Sequence, residues 1–212
     1  RSAAELLQSA REEVFNRLQG EGGGGALARA MEVLATQVAD QDFPQLLDAL
    51  LRERGRVQTI LERLAGHAGL SLAIDEALGV ARGETREALL AAACEEAAFD
   101  GAGLRRVAAA MVESSKKTDL GRGDTLTAWL EDPGGRARRL PDYLGAFFTK
   151  GGKGERVAKF ATKDVLDRVP ETEEIFAAEA ARLEALRDKL KAVEIAEATQ
   201  GLFAFAQEVF ES

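Results

Sequence analysis

Pro170-Glu171-Thr172-Glu173-Glu174-Ile175-Phe176-Ala177-Ala178-Glu179-Ala180-Ala181-Arg182-Leu183-Glu184-Ala185-Leu186-Arg187-Asp188-Lys189-Leu190-Lys191-Ala192-Val193 decides the fold class. Pro170 opens the stretch, and Glu171, Glu173 and Glu174 place negative charge in the first helical turn, where the helix dipole favours it. Leu183, Leu186, Leu190 and Val193 follow at 3-4-3 spacing, which makes one apolar seam for a neighbouring helix. The pattern predicts a long helix from about 170 to 211, with Gly201 as its weak point.

Working outward, alanine, leucine and glutamate dominate, aromatics are few, and only 4 prolines punctuate 212 residues. Alanine and unbranched side chains lose least entropy in a helix, so the composition favours helices throughout. Helices are predicted over 2–19 and 26–39, separated by Gly20 to Gly25. Asp42-Phe43-Pro44-Gln45 reads as a helix start, with Asp42 as cap, and one stripe runs from Leu47 to Leu64. Further helices are expected over 71–80, 85–99, 102–114, 124–131 and 136–148, with a split of the last at Pro141 left open. The fold class is all-α, a bundle-like domain over 1–212. One small β-hairpin near 147–160 is left open, pairing Phe147–Lys150 with Arg156–Phe160 across Gly151-Gly152-Lys153-Gly154.

The net charge of −8 hides a partition. Residues 1–100 carry 10 Arg, no Lys and 17 acidic residues, a balance of −7. Residues 101–163 carry 13 basic and 7 acidic residues, +6, and residues 164–212 return to −7. A basic segment from 105 to 163 therefore lies inside an acidic chain, and such a local field steers polyanions. Its end, 147–163, holds Lys150, Lys153, Arg156, Lys159 and Lys163 against Glu155 alone. Lys116, Lys117, Arg122, Arg136, Arg138 and Arg139 complete the basic set. Cations on a mobile, glycine-rich backbone can follow a phosphate chain, with the Gly151 and Gly152 amides adding contacts. Phe147, Phe148 and Phe160 are expected to anchor the segment to the core rather than to stack on bases. The opposing expectation is an ordinary solvated surface.

The other candidate sites read as scaffold. Gly20-Glu21-Gly22-Gly23-Gly24-Gly25 matches G-x-G-x-x-G but follows a predicted helix, where the dinucleotide motif needs a strand. His67 is the only histidine and lies beside Gly66 at a helix end. Cys94, the only cysteine, is expected on an apolar helix face, with Glu95 and Glu96 raising its pKa. Glu95, Glu96 and Asp100 are expected on a solvated face. Arg122-Gly123-Asp124 is better explained by Asp124 as a helix cap than as an integrin tripeptide. No run approaches the roughly 20 apolar residues that span a bilayer, and no signal peptide opens the chain. A single cysteine fits a reducing compartment, and the expected location is cytoplasmic. The chain begins at Arg1 and ends inside a predicted helix, so it is expected to be a piece of a longer protein.

Several stretches carry a family resemblance. They are Phe43-Pro44-Gln45-Leu46-Leu47-Asp48-Ala49-Leu50-Leu51-Arg52-Glu53-Arg54-Gly55-Arg56, Glu87 to Phe99, Lys117-Thr118-Asp119, Phe148-Thr149-Lys150 and Ala161-Thr162-Lys163. They resemble the alphaproteobacterial AddA-type double-strand-break repair helicases of the UvrD/Rep/RecB-like superfamily. The chain looks like the accessory 1B subdomain inserted into the first motor domain of such proteins. It has no Walker A, Walker B or nuclease motif, as an excised insert would not. The resemblance implies a parent that is an ATP-dependent DNA helicase and exonuclease using ATP and Mg in recombination and repair. The insert itself would be non-catalytic and without cofactor. It would contact duplex DNA through the phosphate backbone and touch the parent's motor domains and an AddB-like partner subunit. Thr149-Lys150 and Thr162-Lys163 correspond to the family's basic Thr-Lys segments.

The expected DNA-binding set is thus Lys116, Lys117, Arg136, Arg138, Arg139, Thr149, Lys150, Lys153, Arg156, Lys159 and Lys163. Neutralising about five phosphates gives a slope of log K against log salt near −4 to −5. The alternative is a structural module of the same complex that docks the partner without binding DNA.

Overall fold

The computed structural model describes residues 42–211. The helices expected over 2–19 and 26–39, and the glycine linker between them, lie outside the described residues. Among the described residues there are ten helices and no strand. In chain order these are α1 Phe43–Arg52, α2 Arg54–Arg63, α3 His67–Leu78, α4 Arg86–Ala93, α5 Gly101–Val112 and α6 Lys117–Leu130. They continue with α7 Arg136–Phe147, the four-residue turn α8 Thr149–Gly152, α9 Lys163–Arg168 and α10 Thr172–Glu211. Short 3-10 turns at Glu96–Ala98 and Pro133–Gly135 precede α5 and α7. The fold is all-α. None of these helices is long and apolar enough to cross a membrane.

The described residues form two compact units, one from 42–84 with 191–211 and one from Thr85–Leu190. In the first, Leu50 and Val57 pack with Phe205, Ala206 and Phe210 from the end of α10. The stripe expected as one helix to Leu64 is two helices, α1 and α2, with Glu53 non-helical between them. Arg54, just past that joint, donates to the Phe210 carbonyl at 2.8 Å and lies 5.5 Å from its ring. A cation there satisfies a carbonyl of the last turn of α10 and suits its dipole. Asp42 makes no side-chain cap hydrogen bond, while Pro44 does sit in the first turn of α1.

The second unit is built around residues 172–190 of α10. Of the 3-4-3 seam, Leu183 and Leu186 are buried there and Leu190 is half-buried, while Val193, buried, belongs to the first unit; α10 runs unbroken through Gly201. A row of rings crosses the core of this unit. Trp129 stacks on Tyr143 at 4.0 Å, Tyr143 meets Phe147 at 5.1 Å, and Phe147 meets Phe160 and Phe176 at 5.3 and 5.5 Å. Helices α5 and α6 pack closely because Gly123 has no side chain: a Cβ there would lie 2.9 Å from the Met111 Cβ and 3.0 Å from the Val112 nitrogen. That contact explains Arg122-Gly123-Asp124. It lies inside α6, so Asp124 is not a cap, and the helix begins at Lys117 rather than Asp124.

Two further expectations are corrected. Pro141 does not split 136–148; it sits within α7. It deletes one backbone bond, to Ala137, and both residues are exposed, so water reaches the freed carbonyl. The hairpin near 147–160 is a single antiparallel bridge between Phe148 and Arg156. A strand alternates buried and exposed side chains, but Phe147 and Phe148 are both buried. Beyond them the chain coils through positive φ at Lys150 (53°), Gly151 (63°) and Gly152 (89°) instead of extending.

Candidate nucleic-acid interface

The 13 cations of residues 101–163 separate by residue type. Every arginine has a protein partner. Arg105 pairs with Glu96 at 2.8 Å and Arg106 with Glu171 at 2.8 Å. Arg138 and Arg139 reach Asp132 at 3.7 and 2.9 Å. Arg156 grips both oxygens of Glu184 at 2.6 and 2.5 Å. Arg122 donates to the carbonyls of Lys159 (2.8 Å) and Phe160. The lysines behave oppositely. Lys116, Lys117, Lys150, Lys153, Lys159 and Lys163 are all exposed, and none forms an ion pair among the described residues. The chemistry explains the division, since a planar guanidinium holds carbonyls and carboxylates in a fixed fork while an ammonium on a flexible stem prefers water.

Arg136 is the largest departure from the expected binding set. It is 2% exposed. Its guanidinium donates to the Cys94 carbonyl at 3.0 Å, the Leu130 carbonyl at 3.1 Å and Glu96 at 2.5 Å. It also lies 4.9 Å from the Phe99 ring and 5.1 Å from Trp129. Its acceptors are C-terminal groups of α4 and α6, so one buried cation closes two helix ends. Buried this deeply, it is out of reach of a phosphate. Arg182 does the same for Ala93 at 3.0 Å while pairing with the buried Glu179, which also accepts the Tyr143 hydroxyl at 2.8 Å. Burial, followed by the Glu179 charge, raises the Tyr143 pKa well above its usual value.

Arg156 is likewise committed. Its pairing with Glu184 raises its own pKa and lowers that of Glu184. Arg138, at 79% side-chain exposure and 3.7 Å from Asp132, is the arginine most open to an outside anion. Arg139 holds the Asp132 carboxyl below its usual range.

The glycine-rich segment is hydrogen-bonded at both ends. Thr149 donates its N–H to the Glu155 carbonyl at 2.8 Å and accepts from the Gly154 N–H at 2.9 Å. Arg187 of α10 donates to the Lys153 and Gly154 carbonyls at 3.0 and 3.1 Å and lies 4.7 Å from the Phe148 ring. Gly152 allows a close approach, because a Cβ would lie 2.6 Å from the Leu144 Cβ. Phe147, Phe148 and Phe160 are buried anchors, as expected. The backbone is thus fixed by arginines while the Lys150 and Lys153 side chains project outward.

A second group forms at the start of α6. Asp119, 1% exposed, accepts from the Ser114 hydroxyl at 2.8 Å and from the Thr162 hydroxyl and N–H at 2.5 and 3.2 Å. With Arg122 on the carbonyls of Lys159 and Phe160, this ties the first turns of α6, which Lys116 and Lys117 begin, to residues 159–162. Asp119 escaped the sequence reading, although an acid in a first turn beside two lysines was its signal.

The remaining candidates are structural. His67 starts α3 and hydrogen-bonds Gln207. Cys94 is partly buried, and burial raises its pKa. The expected Glu95 and Glu96 effect is absent; Arg182 and Arg136 act instead, in the opposite direction. Glu96 bridges Arg105 and Arg136, and Asp100 caps α5 through the Gly103 N–H at 2.8 Å. The chain matches no protein-family model, no curated protein and no solved structure.

Proposed function

We propose that this chain is a non-catalytic, DNA-contacting accessory domain, akin to the 1B insert of an AddA-like ATP-dependent helicase and exonuclease acting on double-strand breaks. The observation that carries this is the separation of cations: arginines build the scaffold, and the lysines of residues 116–163 are left exposed and unpaired among the described residues. Such ammonium groups meet phosphates as point charges and carry no base information, so binding is sequence-independent. In this scheme ATP and Mg belong to the parent's motor domains, because the chain has no Walker motif.

Reversing Lys150, Lys153, Lys159 and Lys163 to Glu tests the proposal. Arg156 is excluded from that set because a glutamate there would face Glu184. Duplex affinity at low salt is expected to fall steeply while the helical circular-dichroism signal stays constant. Duplex affinity equal to the parent chain's, with retained binding to an AddB-like subunit, would instead support a docking module.

A further inference from the structure

Two stretches that are 43 residues apart in sequence, Lys117-Thr118-Asp119 and Ala161-Thr162-Lys163, are joined by the buried Asp119 carboxylate. Burying a carboxylate is costly unless it is fully hydrogen-bonded, and here the donors are two hydroxyls and one amide rather than a cation. Three residues further along α6, Arg122 takes the carbonyls of Lys159 and Phe160, with its guanidinium 5.6 Å from the Phe160 ring. Burial lowers the Arg122 pKa, in keeping with its inward place. One helix face therefore grips residues 159–162 twice, once through donors and once through acceptors.

We propose that Asp119 and Arg122 form a clamp that positions Lys116, Lys117, Lys159 and Lys163 as one preformed site for the phosphate backbone of duplex DNA. The inference rests on the function proposed above and adds the residues that make the surface rigid. The lysines supply charge, and the clamp removes the entropy of gathering them at the moment of binding. Removing a lysine changes the number of phosphates neutralised and hence the salt slope. Removing the clamp leaves that number unchanged and weakens binding at every salt concentration.

The test is duplex DNA binding by the full 212-residue chain across a salt series. Asp119→Asn and Thr162→Val are expected to weaken binding about tenfold with an unchanged slope. Thr162→Ser keeps the hydroxyl and should bind like the unaltered chain. Lys159→Gln with Lys163→Gln should flatten the slope by about two. If Asp119→Asn loses helicity, Thr162→Val, which keeps the Asp119–Ser114 bond, carries the test. Wild-type affinity in Thr162→Val, or a slope change like that of the lysine pair, overturns the clamp alone. No duplex binding by the unaltered chain overturns both the clamp and the DNA-contacting function.

Discussion

Arg136→Met separates scaffold from surface most sharply. The substitution keeps a long apolar stem against Phe99 and Trp129 but removes every donor. Three carbonyls, of the buried Trp129 and Leu130 and of the partly buried Cys94, then lose their guanidinium partner. Each unsatisfied buried acceptor costs about 1–3 kcal/mol. Two lost cation–aromatic contacts add about 0.5–1 kcal/mol each, partly recovered by the methionine. Glu96 is half exposed and keeps Arg105, so its loss is small. The expected destabilisation is about 3–5 kcal/mol, a large share of a typical domain's stability. Urea unfolding followed by Trp129, the only tryptophan, reports directly on this network. With a slope of about 2 kcal/mol per molar, the midpoint should drop by about 2 M. Arg138→Met, at an exposed position, should stay within about 0.5 kcal/mol of the unaltered chain. A loss below about 1 kcal/mol for Arg136→Met would refute its keystone role.

Further outcomes follow from the same geometry. Gly123→Ala should destabilise by about 1–3 kcal/mol, since its Cβ meets Met111 and Val112. Gly121→Ala, in the same helix with open space around it, should stabilise by about 0.4–1 kcal/mol; chemical unfolding distinguishes the two. Arg105, Arg139 and Arg156 depress the pKa values of Glu96, Asp132 and Glu184, so their contribution is present above the ordinary carboxylate range and lost as pH falls below it. Tyr143 has the opposite sign: its folded pKa is raised, so stability is full below about pH 10, its unfolded value, and declines above it. Thermal melts from acid to alkaline pH check both limbs, and replacing Tyr143 with Phe should remove the alkaline one.

Periodicity made much of the fold legible. The seam on α10 could be read because a 3-4-3 spacing has one solution on a helix: Leu183, Leu186 and Val193 are buried as it requires, and Leu190 is half-buried. The turn at 149–152 was not, because a glycine-rich run fits a hairpin and a left-handed coil equally well until the burial of both Phe147 and Phe148 decides. The basic region was legible as a count but not as a surface. Arg136 and Lys150 contribute equally to net charge, yet one is in the core and the other in water. A clue was present: a basic residue in the first turn of α7 opposes that helix's dipole, which suggests service to other helix ends. The confinement of lysine to 116–163, before the pair on α10, was visible in the composition. Asp119 and Thr162 were not connectable, because nothing local joins positions 43 residues apart.

The most direct measurement is the salt dependence of duplex affinity for the full chain and for a variant with Lys116, Lys117, Lys150, Lys153, Lys159 and Lys163 all changed to Gln. If all six lysines meet phosphates, the slope of log K against log salt should be about −5, at roughly −0.9 per phosphate. In the glutamine variant, with all seven arginines of residues 101–163 retained, it should approach zero. Equal slopes in the two proteins, or no binding by the unaltered chain at low salt, would contradict the division of labour between lysine and arginine.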